Sequence, residues 1–141
     1  MSTTGIPSFD STLQKTNQWL AELMQELGWE DRHKAYHALR AVLHALRDRL
    51  PVNAAAHLAA QLPMLVRGIY YECWHPAGTP TQEYSQDEFL AHVTESFRND
   101  PNTDSKAVTQ AVFHVMARHV TEGEVAKVKR SLPKGIRQLW A

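Results

Sequence analysis

Histidine is the residue type in this chain best suited to chemistry, because it titrates near neutral pH and binds transition metals. Eight of the 141 residues are histidines. A helix is predicted from about Asp31 to Arg49, and at about 100° per residue it places His33, His37 and His44 on one face. His33 and His37 are four residues apart and could chelate a metal ion with Asp31 as a third ligand. Such a pair is not by itself a metal-site signature, so the pattern favours a solvated polar face, also carrying Arg40, Arg47 and Asp48, with metal binding as the alternative.

The single cysteine, Cys73, excludes an internal disulfide and lies two residues before His75. A catalytic thiol needs a partner in space and a lowered pKa, and this spacing matches no family signature. The segment from Leu62 to Trp74 is apolar on nearly all sides, which predicts a buried helix and an inert thiol. The sequence also contains no glycine-rich phosphate loop and no His-Glu-x-x-His motif. We therefore predict a protein without enzymatic activity and without a cofactor.

Two arginines stand out because they lie in otherwise apolar helices. Arg67 and Arg137 each follow a proline by four residues. Tyr71 and Trp74 lie four and seven residues after Arg67, so their rings could lie along its guanidinium group. A charge in such a helix must find a carboxylate or backbone carbonyls. The pattern favours a clamp that holds the helix to its neighbour, with a contact to an anion or a protein partner as the alternative.

Charge alternates along the chain although the net charge is zero. Residues 1–30 carry a net −3, residues 31–74 +3, residues 75–117 −4 and residues 118–141 +4. The densest basic stretch contains Lys127, Lys129, Arg130 and Lys134, followed by Arg137. It could contact nucleic acid or an acidic partner, but no recognition motif accompanies it. The more ordinary interpretation is that basic surfaces of one half of the chain face acidic surfaces of the other half or of a second subunit.

Composition places the chain among globular proteins, since 43% of the residues are hydrophobic and 21% are charged. The first seven residues lack the basic and apolar regions of a signal peptide. The most apolar region, residues 54–71, is interrupted by His57, Gln61, Pro63 and Arg67, which is too polar for a membrane span. The expectation is a cytoplasmic protein that does not enter a membrane.

These residues lie on elements that recur at a period of 70. Aligning 12–71 with 82–141 gives nine identical positions without a gap, among them Leu62/Leu132, Pro63/Pro133 and Arg67/Arg137. Apolar positions also correspond, for example Trp19/Phe89 and Leu43/Phe113. Each half is predicted to form four helices, and the period of 3.6 dominates throughout. The expected fold is all-α: two tandem four-helix repeats, 9–74 and 84–141, joined by a linker at 75–83 and packed as one compact domain over residues 1–141.

Local signals set the ends of several predicted helices. The first has a stripe at Leu13, Leu20, Met24 and Leu27 and ends before Gly28. Capping boxes are predicted at Ser85–Glu88 and at Thr121–Glu124. The fourth helix of each half is predicted to begin at a proline. His44 and His114 occupy the same repeat position, which favours hydrogen bonds to a neighbouring helix, with a paired pH-sensitive contact as the alternative.

The stretch from Leu62-Pro63 through Arg67-Gly68 to Trp74, followed by a proline-containing linker and Glu88-Phe89-Leu90, resembles a prokaryotic domain-of-unknown-function family, number 2267. The closing stretch from Leu132-Pro133 to Trp140 is similar to the end of that family. The resemblance covers nearly the whole chain from about Phe9. It implies a helical, two-repeat bacterial protein and implies no activity.

The sequence therefore predicts a non-enzymatic helical protein that acts through contacts with other proteins, with a homodimer as one form of such contact. Trp19 and Trp29 are candidate aromatic residues at helix edges; Trp19 lies off the main stripe of its helix, so it either packs at the edge of the core or anchors an interface. Two other functions stay open: binding of a metal or small ligand through the exposed histidines, and binding of nucleic acid through the C-terminal basic patch.

Overall fold

Helix caps and apolar stripes divide the chain into short helices. The computed structural model describes residues 4–141, and in this range the chain forms eight α-helices, two 3₁₀ turns and no β-strand. The helices are α1 (Pro7–Leu27), α2 (Arg32–Arg49), α3 (Val52–Ala59), α4 (Met64–Tyr71), α5 (Gln86–Ser96), α6 (Ser105–His119), α7 (Glu122–Arg130) and α8 (Lys134–Arg137). The 3₁₀ turns are Pro76–Gly78 and Gln138–Trp140. The prediction of an all-helical, compact chain is confirmed. The predictions for residues 1–3, that they carry no signal peptide and belong to the domain, lie outside the described residues.

Helix boundaries follow the local signals in most places. Gly28 ends α1 in the left-handed region at φ 69°, where glycine has no steric cost. The capping box of α5 is confirmed: the Ser85 hydroxyl accepts from the Glu88 N–H and the Glu88 carboxylate accepts from the Ser85 N–H. At α7 only half of the predicted box forms, because the Glu124 carboxylate contacts His57 instead. The prolines before α4 and α8 occupy the N-cap position rather than the first helical position.

Helix ends recur along the chain. α2 ends at Arg49 and α6 at His119, 70 residues later, and α3 and α7 begin at Val52 and Glu122. The first helices differ most, since α1 has 21 residues and α5 has 11. α8 has only four residues and continues into a 3₁₀ turn.

The helices enclose one cluster of buried apolar side chains that draws on both halves of the sequence. α2 packs against α6 and α3 against α7, while α1 packs on α6 and α2 on α5. The chain between Tyr71 and Gln86 crosses the end of α2, where the Thr81 N–H donates to the Asp48 carbonyl (2.9 Å) and Arg49 Nε donates to the Glu83 carbonyl (2.6 Å). These contacts bring α2, the segment between the halves and α5 to one edge of the molecule.

Two residues, Leu13 and Cys73, lie in environments that differ from the predictions, and for Trp19 the structure decides between two predicted environments. Leu13, predicted on the core stripe of α1, is 38% exposed, because the N-terminal turns of α1 extend beyond the helices beneath them. Trp19 is 1% exposed and stacks on the His119 ring, so it is a core residue rather than an interface anchor. Cys73 follows the end of α4 with a positive φ of 61° and is exposed, so the expected buried thiol is wrong. In the described part of the chain no helix is long and apolar enough to span a membrane.

Candidate functional site

The predicted metal ligands Asp31, His33 and His37 border one shallow depression at the start of α2. The Asp31 carboxylate caps the helix by accepting from the Lys34 N–H (3.1 Å). His37 Nε2 donates to the Ser96 carbonyl on α5 (2.8 Å). Within residues 4–141 no three histidine, cysteine, aspartate or glutamate side chains are grouped so that they could hold a metal ion. The structure therefore gives the predicted metal site no ligand set, because capping engages the aspartate and α5 engages one histidine.

Arg67 and Arg137 both bind backbone carbonyls at the end of the preceding helix. Arg67 donates from Nε to the Ala59 carbonyl (2.9 Å) and from Nη2 to the Leu62 carbonyl (2.8 Å). Arg137 makes the corresponding pair of bonds, to Lys129 (2.9 Å) and Leu132 (2.9 Å). Carbonyls at a helix end carry partial negative charge, which suits a guanidinium group. These contacts are of the kind expected for the predicted clamp, and they engage Nε and Nη2 of each guanidinium group.

The aromatic residues near Arg67 pack on each other instead of on its guanidinium group. The ring centroids of Tyr71 and Trp74 are 5.1 Å apart, and both side chains are half-buried. Among the described residues, the cations over aromatic rings are Lys34 over Trp29 and Arg49 over Tyr84. A role for Tyr71 and Trp74 in binding a partner stays a prediction.

The basic patch predicted at Lys127, Lys129, Arg130 and Lys134 lies on the last turn of α7 and the first residue of α8. All but Lys129 are exposed, and none of the four forms an ion pair within residues 4–141. The C-terminal turn of a helix carries partial negative charge and stabilises cations. This accounts for Lys127, Lys129 and Arg130 without an ion-pair partner. The geometry adds no feature that recognises a nucleic acid, and this function stays a prediction.

The most concentrated group of titratable side chains lies in a cleft between α2, α5 and the segment before α5. We call it the α2–α5 cleft; it encloses about 210 Å³. Its lining combines histidine, arginine, carboxylate and hydroxyl groups with a floor of two alanines: His37, Arg40, Ala41, His44, Ala45, Asp48, Thr81, Glu83, His92 and Ser96. Several polar groups that converge on one concave space make it a candidate ligand site.

His44 occupies the middle of the α2 wall. Its Nε2 donates to the Ile69 carbonyl (2.7 Å), so that nitrogen carries a proton. Its Nδ1 has no hydrogen-bond partner among residues 4–141. Burial lowers the pKa of His44; the Ile69 carbonyl opposes this effect, and Arg47 and Arg40 add to it. The ring is therefore neutral at neutral pH and leaves Nδ1 as an open acceptor.

The charged groups of the cleft differ in how closely they are paired with other side chains. The Asp48 carboxylate accepts from Nε and Nη2 of Arg47 (2.8 and 3.2 Å). Glu83 Oε1 accepts from the Thr81 hydroxyl (2.9 Å) and lies 3.0 Å from His92 Nε2. Arg40 has only a surface partner, since its Nε lies 3.3 Å from an oxygen of Glu72, which is half-exposed. A pair of this kind stabilises little, so the Arg40 guanidinium group is the most available charge in the cleft.

A second helix pair of the same kind is bridged by carboxylates. There α1 packs on α6, and Glu22 and Glu26 contact side chains of α6. His114 contacts Glu26 through Nδ1 (2.6 Å), Arg118 contacts both glutamates (3.2 and 3.0 Å), and His119 contacts Glu22 (2.9 Å). Arg118, at the start of the basic segment 118–141, therefore pairs with the acidic segment 1–30 of the other half.

Comparison with known protein families assigns the chain. The family described as "Uncharacterized conserved protein (DUF2267)" matches residues 16–139. The chain belongs to this family. The resemblance inferred from the paired Leu-Pro and arginine motifs is thereby confirmed. No curated protein matches the sequence.

In this DUF2267 protein the sequence pattern located part of the cleft and missed the rest. The histidine face of α2, with Arg40 and Asp48, was visible from helical spacing. Glu83, His92 and Ser96 were not, because they come from segments whose position across α2 depends on tertiary packing. A signal exists in the period of 70: His92 and Ser96 stand where the other half has Glu22 and Glu26.

A second surface of this DUF2267 protein is apolar, and part of it, Leu13, Met64 and Leu65, was predicted as core. Seven large apolar side chains of the described chain are exposed, and five of them lie at the start of α1 and of α4: Ile6, Phe9, Leu13, Met64 and Leu65. The two helices are joined where the Leu65 N–H donates to the Thr12 hydroxyl (2.8 Å). We call this the α1–α4 surface. Beside it runs a groove of about 470 Å³ whose apolar lining includes Leu13, Leu20, Tyr36, Leu65 and Ile69.

Proposed function

We propose that this chain is a non-enzymatic interaction module and that the α1–α4 surface joins two copies of it in a homodimer. The observation that carries the proposal is the concentration of exposed apolar side chains at one place. Met64 is 51% exposed and Phe9 is 46% exposed. Single apolar residues scattered over a surface reach such values, but several large apolar residues side by side seldom do. The other two exposed large apolar residues, Val52 and Tyr84, border neither depression at this surface.

The shape of the surface supports a second copy as the partner. Phe9 and Leu13 are four residues apart and form a ridge on one face of α1. The groove between α1 and α4 lies directly beside this ridge, since Leu13 borders it. A two-fold interface requires a surface that is complementary to itself, and a ridge adjacent to a groove meets that requirement. The net charge of zero means that two copies do not repel each other over long range.

The proposal includes the tandem repeat. Support comes from helix ends that recur 70 residues apart. The helix contacts correspond in the same way, since α1 packs on α6 in one place and α5 packs on α2 in the other. The arginine clamps also correspond, since Arg67 and Arg137 bind carbonyls 70 residues apart. The longer α1 is the main departure from this symmetry, and its extra turns carry the ridge. The interaction surface thus lies where one repeat has gained residues that the other lacks.

The experiment is sedimentation velocity over a concentration series, reaching on the order of 100 μM, with Leu13→Asp and Val52→Asp as matched variants. Both side chains are 38% exposed, but only Leu13 belongs to the α1–α4 surface. Burying a leucine contributes about 2 kcal/mol, so we expect Leu13→Asp to weaken the dimer by at least about 30-fold. Val52→Asp should leave the dimer unchanged, and far-UV circular dichroism should show native helix content in both. A wild-type chain that stays monomeric at the highest concentration would remove the proposal.

A further inference from the structure

The α2–α5 cleft and the α1–α6 contact are two versions of one helix pair. Shifting the numbering by 70 carries His44 to His114, Asp48 to Arg118, His92 to Glu22 and Ser96 to Glu26. In the α1–α6 contact, both ring nitrogens of His114 face oxygen acceptors, with Nδ1 2.6 Å from Glu26 and Nε2 3.1 Å from the Ala141 carbonyl. Two oxygen acceptors favour the doubly protonated ring, and both contacts raise the pKa of His114.

His44 has half of this arrangement. Its Nε2 donates to a backbone carbonyl, as the corresponding nitrogen of His114 does. The acceptor at Nδ1 is absent, because the glutamate of α1 is replaced by the short Ser96 on α5. The space that the glutamate side chain would fill is open and belongs to the cleft. Among residues 4–141, this half of the molecule has carboxylates near His44 but none bonded to its Nδ1.

The surrounding charges agree with an anionic group at this point. Arg40 precedes His44 by one helical turn on the same face, and its Nη1 and Nη2 have no hydrogen-bond partner among residues 4–141. The two carboxylates of the cleft already have partners: Asp48 pairs with Arg47, and Glu83 Oε1 accepts from the Thr81 hydroxyl and lies 3.0 Å from His92 Nε2. The groups that face His44 are Arg40, Arg47 and Asp48 on its own helix, Ile69 on α4, and His92 and Glu83 across the cleft.

We propose that the α2–α5 cleft binds a small carboxylate, which pairs with His44 Nδ1 and the Arg40 guanidinium group in the place that Glu26 occupies in the other half. The cleft volume of about 210 Å³ admits a molecule of a few heavy atoms rather than a peptide. Because Nε2 keeps its proton on the Ile69 carbonyl, pairing at Nδ1 requires a second proton on the ring. Binding therefore takes up one proton from solvent at neutral pH.

The test is isothermal titration calorimetry with succinate and acetate in two buffers of different ionisation enthalpy. We expect succinate or acetate to bind, with a difference in observed enthalpy between buffers that corresponds to uptake of about one proton. His44→Gln and Arg40→Gln should each weaken binding by about 10- to 100-fold. His33→Gln, on the same helix but outside the cleft lining, is the matched control and should bind as wild type does.

A second variant tests the site by placing a carboxylate of the protein itself in the cleft. Ser96→Glu places a carboxylate where Glu26 stands in the other half. We expect it to abolish binding of succinate and to raise the pKa of His44, measured by NMR titration of the imidazole resonances. Helix content by circular dichroism confirms that each variant is folded.

Three results would overturn the proposal, and a fourth would contradict its carboxylate class. The first is no binding of either carboxylate to the wild-type protein. The second is binding that takes up no proton, or binding whose affinity is the same in His44→Gln and Arg40→Gln as in the wild type. The third is binding of ethylamine in preference to succinate, which would assign the cleft to cations through Asp48 and Glu83. Equal binding of inorganic phosphate would contradict the carboxylate class and leave a general anion site.

Discussion

His44 and His114 are the same residue type at positions 70 apart, and their surroundings give them opposite protonation behaviour. Burial lowers the pKa of His44. The Ala141 carbonyl and the Glu26 carboxylate raise the pKa of His114. A raised histidine pKa means that the folded state holds a proton that the unfolded chain releases, so the folded state is favoured while the pH is low enough for protonation. The two rings therefore contribute to stability in opposite senses around neutral pH.

We expect His114→Gln to lower the free energy of unfolding more in mildly acidic than in alkaline solution. The contribution of His114 is complete below its unfolded pKa of about 6.5 and is lost as the pH rises through the higher folded pKa. The side chain is 41% exposed, so solvent screening limits the effect to about 0.5–1 kcal/mol. Urea unfolding of wild type and variant at about pH 6 and pH 8.5 measures it.

The His114 prediction has an internal control in His33→Gln, since His33 is exposed and forms no ion pair within residues 4–141. That substitution should shift stability equally at both pH values. A difference between wild type and His114→Gln that stays constant with pH would mean that the Glu26 contact carries no charge.

At the scale of helices, the ends of α3 and α7 depend on side chains from the helices that follow them. Arg67 connects the Ala59 and Leu62 carbonyls, and Arg137 does the same for the end of α7. Hydrogen bonds from a charged donor stabilise by about 1.5–3 kcal/mol, and buried carbonyls without a donor are destabilising. We expect Arg67→Met to lower the free energy of unfolding by about 2–3 kcal/mol in chemical denaturation.

The geometry of the guanidinium group, rather than its charge, should carry this effect. Arg67→Lys keeps the charge but cannot reach two carbonyls through two fixed N–H groups, so it should recover less than half of the loss. Arg137→Met should cost less than Arg67→Met, because Arg137 is exposed while Arg67 is half-buried. A wild-type stability for Arg67→Met would show that water replaces the clamp.

Much of the element level could be predicted from the sequence, because helix caps and apolar periods are local. The box at Ser85–Glu88 and the left-handed Gly28 were found from neighbouring residues alone. The half-formed box at Thr121 was not, since Glu124 is drawn to His57 of a helix 67 residues away. The exposure of Leu13 was also missed, because a stripe shows which face is apolar and not how far the opposing helix extends. Spacing likewise placed the histidine face of α2 but could not show that α5 would cover it only in part.

At the scale of the whole molecule, the first helix of each half of the sequence packs on the second helix of the other half. α1 lies on α6 and α5 lies on α2, so each half covers the second helix of the other. The ion pairs of Glu22 and Glu26 with α6, the Lys34–Asp100 pair and the contact of His57 with the buried Glu124 all connect the halves. Trp19, the largest fully buried side chain, stacks on His119 with ring centroids 5.1 Å apart. The core is therefore formed between the halves as well as within them.

Because the two halves pack on each other in this way, we can predict how separate fragments of the chain behave. Fragments of 83 and 58 residues are small enough for a single core to be marginally stable, and each half here also loses a packing partner of its first helix. We expect fragments 1–83 and 84–141 to be largely unfolded when separate and to regain helix when mixed in equal amounts. Far-UV circular dichroism of each fragment and of the mixture measures this, with amide dispersion in NMR spectra as a check on packing.

Either result tests how the proposed repeats depend on each other. If the mixture regains native dispersion while the separate fragments do not, the repeat is a structural unit that is stable only as a pair, comparable to two subunits joined by a linker. If fragment 1–83 unfolds cooperatively by itself, then the contacts of α1 with α6 are secondary, and the α1–α4 surface would be carried by an independent half. The first outcome is expected, because separating the halves exposes Trp19 and leaves the buried Glu124 carboxylate without His57.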